Sequence, residues 1–172
     1  GNYAGSTIDK KAGTVFSQHG EKMTLVDLPG TYSLNPQSKD ENIVRETLFN
    51  SSADSNIDRF ICILDGTRLE RDLFLALKVA EIGKPVLFVV NKMDLVRQQG
   101  IEINTQKLEQ LLGINVVTTQ AIQRNGLLGL KVAMSRKQLP QKSINYDQLP
   151  QDLNYALMQI ESALLAKKSI FA

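Results

Sequence analysis

Two short motifs, each placed after an apolar stretch, carry residue types suited to binding a nucleotide. Asn-Lys-Met-Asp at 91–94 follows the apolar run 86–90, and Asp-Leu-Pro-Gly at 27–30 follows a shorter apolar run. The Asp94 carboxylate can accept two hydrogen bonds from the N1 and N2 donors of guanine, and adenine offers no such pair. A site that depends on these bonds rejects adenine, because adenine would leave a buried carboxylate unpaired.

The remaining residues of the two motifs have complementary expected roles. Asn91 would tie neighbouring loops together, and the stem of Lys92 would cover the face of the base. Asp-x-x-Gly after a strand is the switch element of P-loop NTPases, in which Asp27 would hold Mg²⁺ through a water and the Gly30 amide would contact the γ-phosphate. The order and spacing of the two motifs are typical of a small GTPase.

A phosphate-binding loop is not found beside these motifs. No Gly-x-x-x-x-Gly-Lys-Ser/Thr sequence occurs in the 172 residues, although a GTPase holds its phosphates with such a loop. We therefore expect the loop, the strand before it and the helix after it to be absent. In Ras-like sheets that strand lies between the switch strand, here ending at Asp27, and the strand at 58–65, so these residues alone are expected to be an incomplete folding unit that binds nucleotide weakly.

Composition limits the other classes of function. The 172 residues have room for one domain and part of another, and the net charge of +2 gives no electrostatic case for nucleic acid. One Cys and one His cannot form a zinc site, and Cys62 lies in an apolar strand, where a core thiol is expected. No apolar run reaches the ~18 residues of a membrane-spanning helix.

The elements that must position the motifs alternate along the chain. Thr-Arg-Leu-Glu at 67–70 predicts a capping box at the start of a helix that stops at Gly83. The tip of the hairpin is predicted at His19. The predicted elements are a hairpin (14–17 and 22–27), a helix (40–50), a buried strand (58–65), a helix from residue 69, a strand (86–90), a short helix around 108–112, a strand (115–119) and a helix (127–137). This alternation predicts a mainly parallel sheet with helices on both faces.

Three segments give the chain a family resemblance: Gly-Asn-Tyr-Ala-Gly-Ser-Thr-Ile at 1–8, Asp-Leu-Pro-Gly-Thr-Tyr-Ser-Leu at 27–34, and the motif at 91–94. Together they resemble the cytosolic G domain of the ferrous iron transport protein B (FeoB) family. The resemblance implies an α/β, Ras-like P-loop GTPase fold over 1–138, missing its first strand, phosphate loop and first helix. It further implies that 139–172 form a linker and a helix of the membrane-proximal helical domain; the alternative is a terminal helix that packs back on the sheet.

The resemblance also assigns roles to individual residues. Thr7 resembles the switch I threonine that closes on Mg²⁺ and the γ-phosphate, and Gly1 to Tyr3 would begin a loop whose carbonyls hold K⁺. Ala121 aligns with the last guanine-contacting loop. Thr31 stands where many small GTPases place a water-orienting Gln, and because Thr is too short for that task we expect either slow hydrolysis or a water positioned by main-chain groups.

The function implied is a GTP-hydrolysing switch that regulates Fe²⁺ uptake, with GTP or GDP, Mg²⁺ and K⁺ as its cofactors. Its expected partner is the membrane-spanning part of the same transporter, at the cytoplasmic face of a bacterial inner membrane; nucleic acid is not an expected partner, and a homo-oligomer is left open. Two alternatives are an Era-like ribosome-assembly GTPase and a pseudo-GTPase that keeps the fold without the phosphate loop.

Overall fold

The computed structural model describes residues 11–30, 39–50 and 57–136, together with the single positions 151 and 155. Four of the expected site residues, Gly1, Tyr3, Thr7 and Thr31, lie outside these residues. The expected linker at 141–148 and most of the helix expected after it lie outside them as well. The chain divides into two compact units, Gly1–Ile57 and Asp58–Ala172.

The described residues of the first unit form an antiparallel hairpin and one helix. Strand β1 (Lys11–Phe16) pairs with β2 (Lys22–Asp27), with Lys11 opposite Asp27. The connection turns at Ser17, whose Oγ accepts hydrogen bonds from the amides of His19 (3.1 Å) and Glu21 (3.0 Å). Helix α1 (Lys39–Asn50) follows. The predicted hairpin and helix are confirmed, and β1 begins three residues earlier than predicted.

The second unit is built on a parallel sheet of three strands. Strands β3 (Phe60–Asp65), β4 (Val86–Asn91) and β5 (Asn115–Thr118) lie in the order β3-β4-β5. The five apolar residues of β4 are each at most 1% exposed. Because successive side chains of a strand point to opposite faces, both faces of β4 are covered. This confirms the predicted parallel sheet.

Within the described residues, four α-helices accompany this sheet: α2 (Leu69–Ala80), α3 (Met93–Gln98), α4 (Thr105–Leu112) and α5 (Leu127–Ser135). Helix α2 packs on β3 and β4, while α4 and α5 pack on β5. Helix α4 is bounded by strong local signals, because the Asn104 side chain accepts from the Lys107 amide at its start and Gly113 adopts a left-handed φ of 64° at its end.

Two sequence predictions are wrong in detail. The capping box is not formed: Arg68 precedes α2 without a side-chain cap, and the Thr67 hydroxyl donates instead to Asp65 Oδ1 at 2.7 Å. The helical turn starts earlier than predicted, because Gly66–Arg68 form a 3-10 turn whose N-cap is Asp65, so Thr67 lies inside this turn and not at its start. Strand β3 is also not buried throughout, since Ile63 is 69% exposed. In the described part of the chain β3 is an edge strand and pairs only with β4.

Candidate functional site

The carboxyl ends of three parallel strands meet at one edge of the second unit. Asp65 ends β3 and is the register partner of Asn91, which ends β4. Thr118 ends β5 and is the register partner of Val90. In open α/β sheets ligands bind outside the carboxyl ends of the strands, so this edge is the candidate site.

Asn91 joins the end of β4 to the loop that follows β5. Its Oδ1 accepts hydrogen bonds from the Thr119 hydroxyl (3.0 Å) and from the Ala121 amide (3.1 Å). The main chain adds a bond from the Thr119 amide to the Val90 carbonyl at 2.9 Å. The side chain of Asn91 therefore fixes the distance between the two loops, which is the linking contact that the sequence predicts for this residue.

The loop containing Ala121 is closed on itself. Gln120 and Asn125 exchange two main-chain hydrogen bonds, of 3.0 and 3.2 Å, and the Asn125 side-chain amide also donates to Gln120 Oε1. Behind the loop, Gly126 has a φ of +78°, and a Cβ at this position would lie 2.2 Å from the carbonyl oxygen of Thr118. Only glycine fits so close to the main chain of β5, so it sets the start of α5 against the strand.

Lys92 has an unusual main-chain conformation for a residue with a long side chain. Its φ of 61° lies in the left-handed region, and it stands immediately before α3. Its ammonium Nζ lies 2.6 Å from Asp65 Oδ2. The side chain of Lys92 is 48% exposed and that of Asp65 is 17% exposed. A left-handed non-glycine residue is often found at a functional site, where the surrounding contacts hold it.

Both the side chain and the main chain of Asp65 are held by hydrogen bonds. The carboxylate Oδ1 accepts from the Thr67 amide (3.0 Å) and hydroxyl (2.7 Å), and the main-chain amide of Asp65 donates to Asp72 Oδ2 at 2.8 Å. Burial alone would raise the pKa of Asp65. The hydrogen bonds from Lys92 and Thr67 and the nearby ammonium charge outweigh burial and lower this pKa to about 2.

Asp94 stands in the first turn of α3 and is partly buried. Within the described residues no hydrogen bond or ion pair engages its carboxylate. The helix beneath it is anchored by Val96, which is fully buried, and by Met93. Gly66 packs closely here, because a Cβ on it would lie 2.7 Å from a methyl of Val96 and 2.9 Å from the Asn91 carbonyl oxygen. The carboxylate of Asp94 is thus presented on a firmly packed turn.

The first unit carries the other motif. Asp27 ends β2 and is exposed, and Gly30 follows it in a stretch without regular structure. A solvent-exposed carboxylate suits a hard cation such as Mg²⁺, which keeps several of its waters. No cluster of three metal-binding side chains occurs among the residues that the structure describes. Burial raises the pKa of the Cys62 thiol to about 12, which favours the protonated thiol over the thiolate that binds metals.

The sequence interpretation missed two residues of the site edge. Asp65 and Thr119 both make direct hydrogen bonds to the Asn-Lys-Met-Asp motif. Both directly end or follow a predicted strand, so the rule that parallel strands end at a common edge would have found them. The sequence alone gives no partner for either residue, because the strand register is needed to place them.

Comparison with known proteins finds a matching protein family and relatives of similar sequence. Residues 1–134 match the family model described as ferrous iron transport protein B. The chain is 37% identical over 169 residues to the Fe(2+) transporter FeoB of Legionella pneumophila (strain Paris), covering 92% of this chain and 22% of that protein. The chain thus spans about a fifth of the length of this relative.

Solved structures agree with this grouping. The cytosolic domain of the T. maritima FeoB iron transporter in a GDP form superposes with a TM-score of 0.74 at 32% identity, over 85% of this chain and 57% of that one. The FeoB G-domain from Methanococcus jannaschii superposes with a TM-score of 0.67 at 43% identity, over 76% of this chain and 80% of that one. The fold of the second unit is therefore that of a P-loop GTPase domain.

Proposed function

The chain belongs to the ferrous iron transport protein B family, and on this basis we propose that it is a guanine-nucleotide-binding and GTP-hydrolysing switch domain that regulates Fe²⁺ uptake. The observation that carries the proposal is the junction at Asn91. One amide side chain holds the loop of Ala121 against the end of β4, beside Lys92 and Asp94. This arrangement offers a base one carboxylate, one apolar lysine stem and one fixed loop.

Each of these parts suits guanine. The Asp94 carboxylate would accept from N1 and N2 of the base, since within the described residues it has no other partner. The methylene stem of Lys92 would lie on the base, because long cationic side chains cover apolar surfaces with their stems. Ala121 would close the other side of the base; its amide contact with Asn91, beside Lys92 and Asp94, supports its assignment to the last guanine-contacting loop.

The phosphate side of the proposal rests on the first unit. Asp27, with Thr7, would hold Mg²⁺, and Gly30 would contact the γ-phosphate of GTP. When bound, Mg²⁺ would neutralise charge on the phosphates. The main-chain carbonyls of Gly1 and Tyr3 would hold K⁺. Because Thr31 is too short to orient a water as Gln does, we propose that hydrolysis is slow.

The proposed partner and cellular location rest on the family membership. The partner would be the membrane-spanning part of the same transporter, at the cytoplasmic face of the membrane. Among the described residues no helix has the length and apolar character needed to cross a bilayer. The family membership and the net charge of +2 favour this setting over an RNA-binding ribosome-assembly GTPase.

The test compares three nucleotides on the ¹⁵N-labelled chain. We expect millimolar GDP to shift the amide signals of Lys92 and Ala121. IDP, which lacks the N2 donor, should shift them less, and ADP should not shift them. Asp94→Asn should weaken GDP binding by at least about tenfold, because a hydrogen bond to a charged group contributes about 1.5–3 kcal/mol. It should also erase the difference between GDP and IDP.

The matched control is Asp58→Asn. It makes the same change of charge ahead of β3, roughly 20 Å from the candidate edge along a strand of six residues, and should leave GDP binding unchanged. Equal shifts with ADP and GDP, or an unchanged preference in Asp94→Asn, would refute the guanine assignment. Phosphate release from GTP in the presence of Mg²⁺ measures hydrolysis separately.

A further inference from the structure

We propose that Asp65 is a positioning residue of the base site, whose carboxylate holds the Lys92 ammonium and so aims the Lys92 stem across the face of the guanine. The inference rests on the proposed function, because it assigns the lysine stem to a guanine base. It adds a residue that lies outside both sequence motifs, at the end of a different strand.

The carboxylate of Asp65 is oriented by contacts that do not involve the lysine. Thr67 donates twice to Oδ1, and the Asp65 amide is fixed by Asp72. These bonds turn Oδ2 toward Lys92, whose Nζ lies 2.6 Å away. The pairing of Asp65 with Asn91 in the sheet register places this carboxylate one strand spacing from the residue that precedes Lys92.

The lysine is constrained at both ends of its side chain. Its main chain is held in the left-handed region before α3, and its ammonium is held by Asp65. A free lysine side chain loses many rotamers when it is ordered on a ligand, and this loss weakens binding. An ammonium that is already fixed reduces the loss, which is how preorganisation strengthens affinity.

The ion pair itself is a poor source of fold stability. Lys92 is about half exposed, and pairs of this kind contribute little because water and salt screen them. The apolar stem between the two fixed ends stays available to a flat ligand, and the ammonium charge is neutralised beside it. We therefore assign the contact between Lys92 and Asp65 to the placement of the Lys92 stem and not to the stability of the fold.

The experiment is a double-mutant cycle with Asp65→Asn, Lys92→Met and the double variant, titrated with GDP and ADP by amide NMR. Asn keeps an oxygen for the Thr67 donors and removes the charge that holds the ammonium. With Lys92 present, Asp65→Asn should weaken GDP binding by about threefold to tenfold. In the Lys92→Met background it should have no effect, because Asp65 acts through the ammonium.

A matched control keeps the comparison independent of general charge effects. Glu81→Gln also removes the carboxylate of a lysine pair, Lys78 with Glu81 at 3.3 Å, beyond the far end of α2. It should leave GDP binding unchanged in both backgrounds. An equal loss of GDP binding from Asp65→Asn with and without Lys92 would overturn the inference, because it would show a structural role that does not pass through the lysine.

A second readout needs no nucleotide. Proton exchange from the Lys92 ammonium should be slow enough to give a ¹H–¹⁵N signal at low temperature, and Asp65→Asn should remove that signal. An unchanged signal in Asp65→Asn would overturn the contact itself. If the parent chain shows no preference for GDP over ADP while the signal behaves as expected, the proposed function fails and the role in base binding fails with it, whereas the contact stands.

Discussion

The two units place their motifs in different ways. In the second unit the motif at 91–94 follows a strand whose apolar side chains are almost completely buried. In the first unit Asp27 ends a hairpin strand whose side chains are exposed or partly buried. The residues proposed to bind the base thus follow a buried strand, whereas Asp27, proposed to act on the phosphate side, ends a strand that the described residues of its unit do not bury.

This difference agrees with the chemistry proposed for each unit. Reading a base requires hydrogen-bonding groups at fixed positions, which rigid elements supply best. A switch residue must instead move between nucleotide states, and moving elements come from the less stable parts of a protein. We therefore expect substitutions in the second unit to change stability strongly and equivalent substitutions in the hairpin to change it little.

The largest contrast is expected between two glycines. Gly126→Ala would place a Cβ 2.2 Å from the Thr118 carbonyl oxygen at a φ of +78°, and Gly13→Ala in β1 would place one in open space. Strain and clash together should cost Gly126→Ala about 3–5 kcal/mol of unfolding free energy. Gly13→Ala should change it by less than about 0.5 kcal/mol. Urea unfolding followed by circular dichroism measures both, and equal effects would contradict the contrast.

A smaller contrast is expected between two apolar side chains. Leu87 in β4 is fully buried, whereas Val26 in β2 is 47% exposed. Leu87→Ala removes buried methyl groups and leaves a cavity, at a cost of about 2–5 kcal/mol. Val26→Ala should cost less than about 1 kcal/mol, because about half of Val26 remains exposed to water in the folded chain. Thermal melts of the two variants give the comparison, and a large loss in Val26→Ala would show that the hairpin is supported more firmly than its exposure indicates.

The smallest effect is a pH dependence confined to the second unit. Asp65 has a folded pKa of about 2, below its ordinary value of 3.8. A lowered folded pKa means that the carboxylate stabilises the fold above about pH 4 and that this stabilisation is lost as the pH falls toward 2. At pH 7 Asp65→Asn should therefore be less stable than the parent by about 1 kcal/mol, a modest value because Lys92 is half exposed.

The measurement for Asp65→Asn is a pair of denaturant titrations at pH 7 and pH 2.5. The difference between variant and parent should shrink at the lower pH. A difference that is the same at both pH values would show that the carboxylate charge does not produce it.

Strand and helix order could be predicted from the sequence because the local signals are strong. The apolar run at 86–90 has the length of a strand buried on both faces, and Gly113 ends α4 in the left-handed conformation that glycine favours. The contact between Asn91 and the loop after β5 was also accessible, since it follows from the motif and the parallel order of strands.

The errors come from tertiary competition for polar groups. Thr67 and Glu70 have the spacing of a capping box, but Asp65 caps the 3-10 turn that contains Thr67, so Thr67 is not at the cap position. Short helix α3 was not predicted, because a Lys in the left-handed region before it is a rare start that sequence preferences disfavour. In the part of the chain that the structure describes, β3 lies at the edge of its sheet and Ile63 is exposed. The place of a strand in its sheet is not encoded within the strand.

The closed turn from Gln120 to Asn125 has a consequence for how this family can vary. The main-chain amide of Ala121 donates a hydrogen bond to Asn91, and the shape of the turn is set mainly by main-chain hydrogen bonds. Every residue type except proline has that amide, so the contact places almost no demand on the side chain at position 121. Ile122, which is 95% exposed at the tip, is under no packing demand either. The contact that ties this loop to the end of β4 is therefore specified by the side chain of Asn91, thirty residues earlier in the chain.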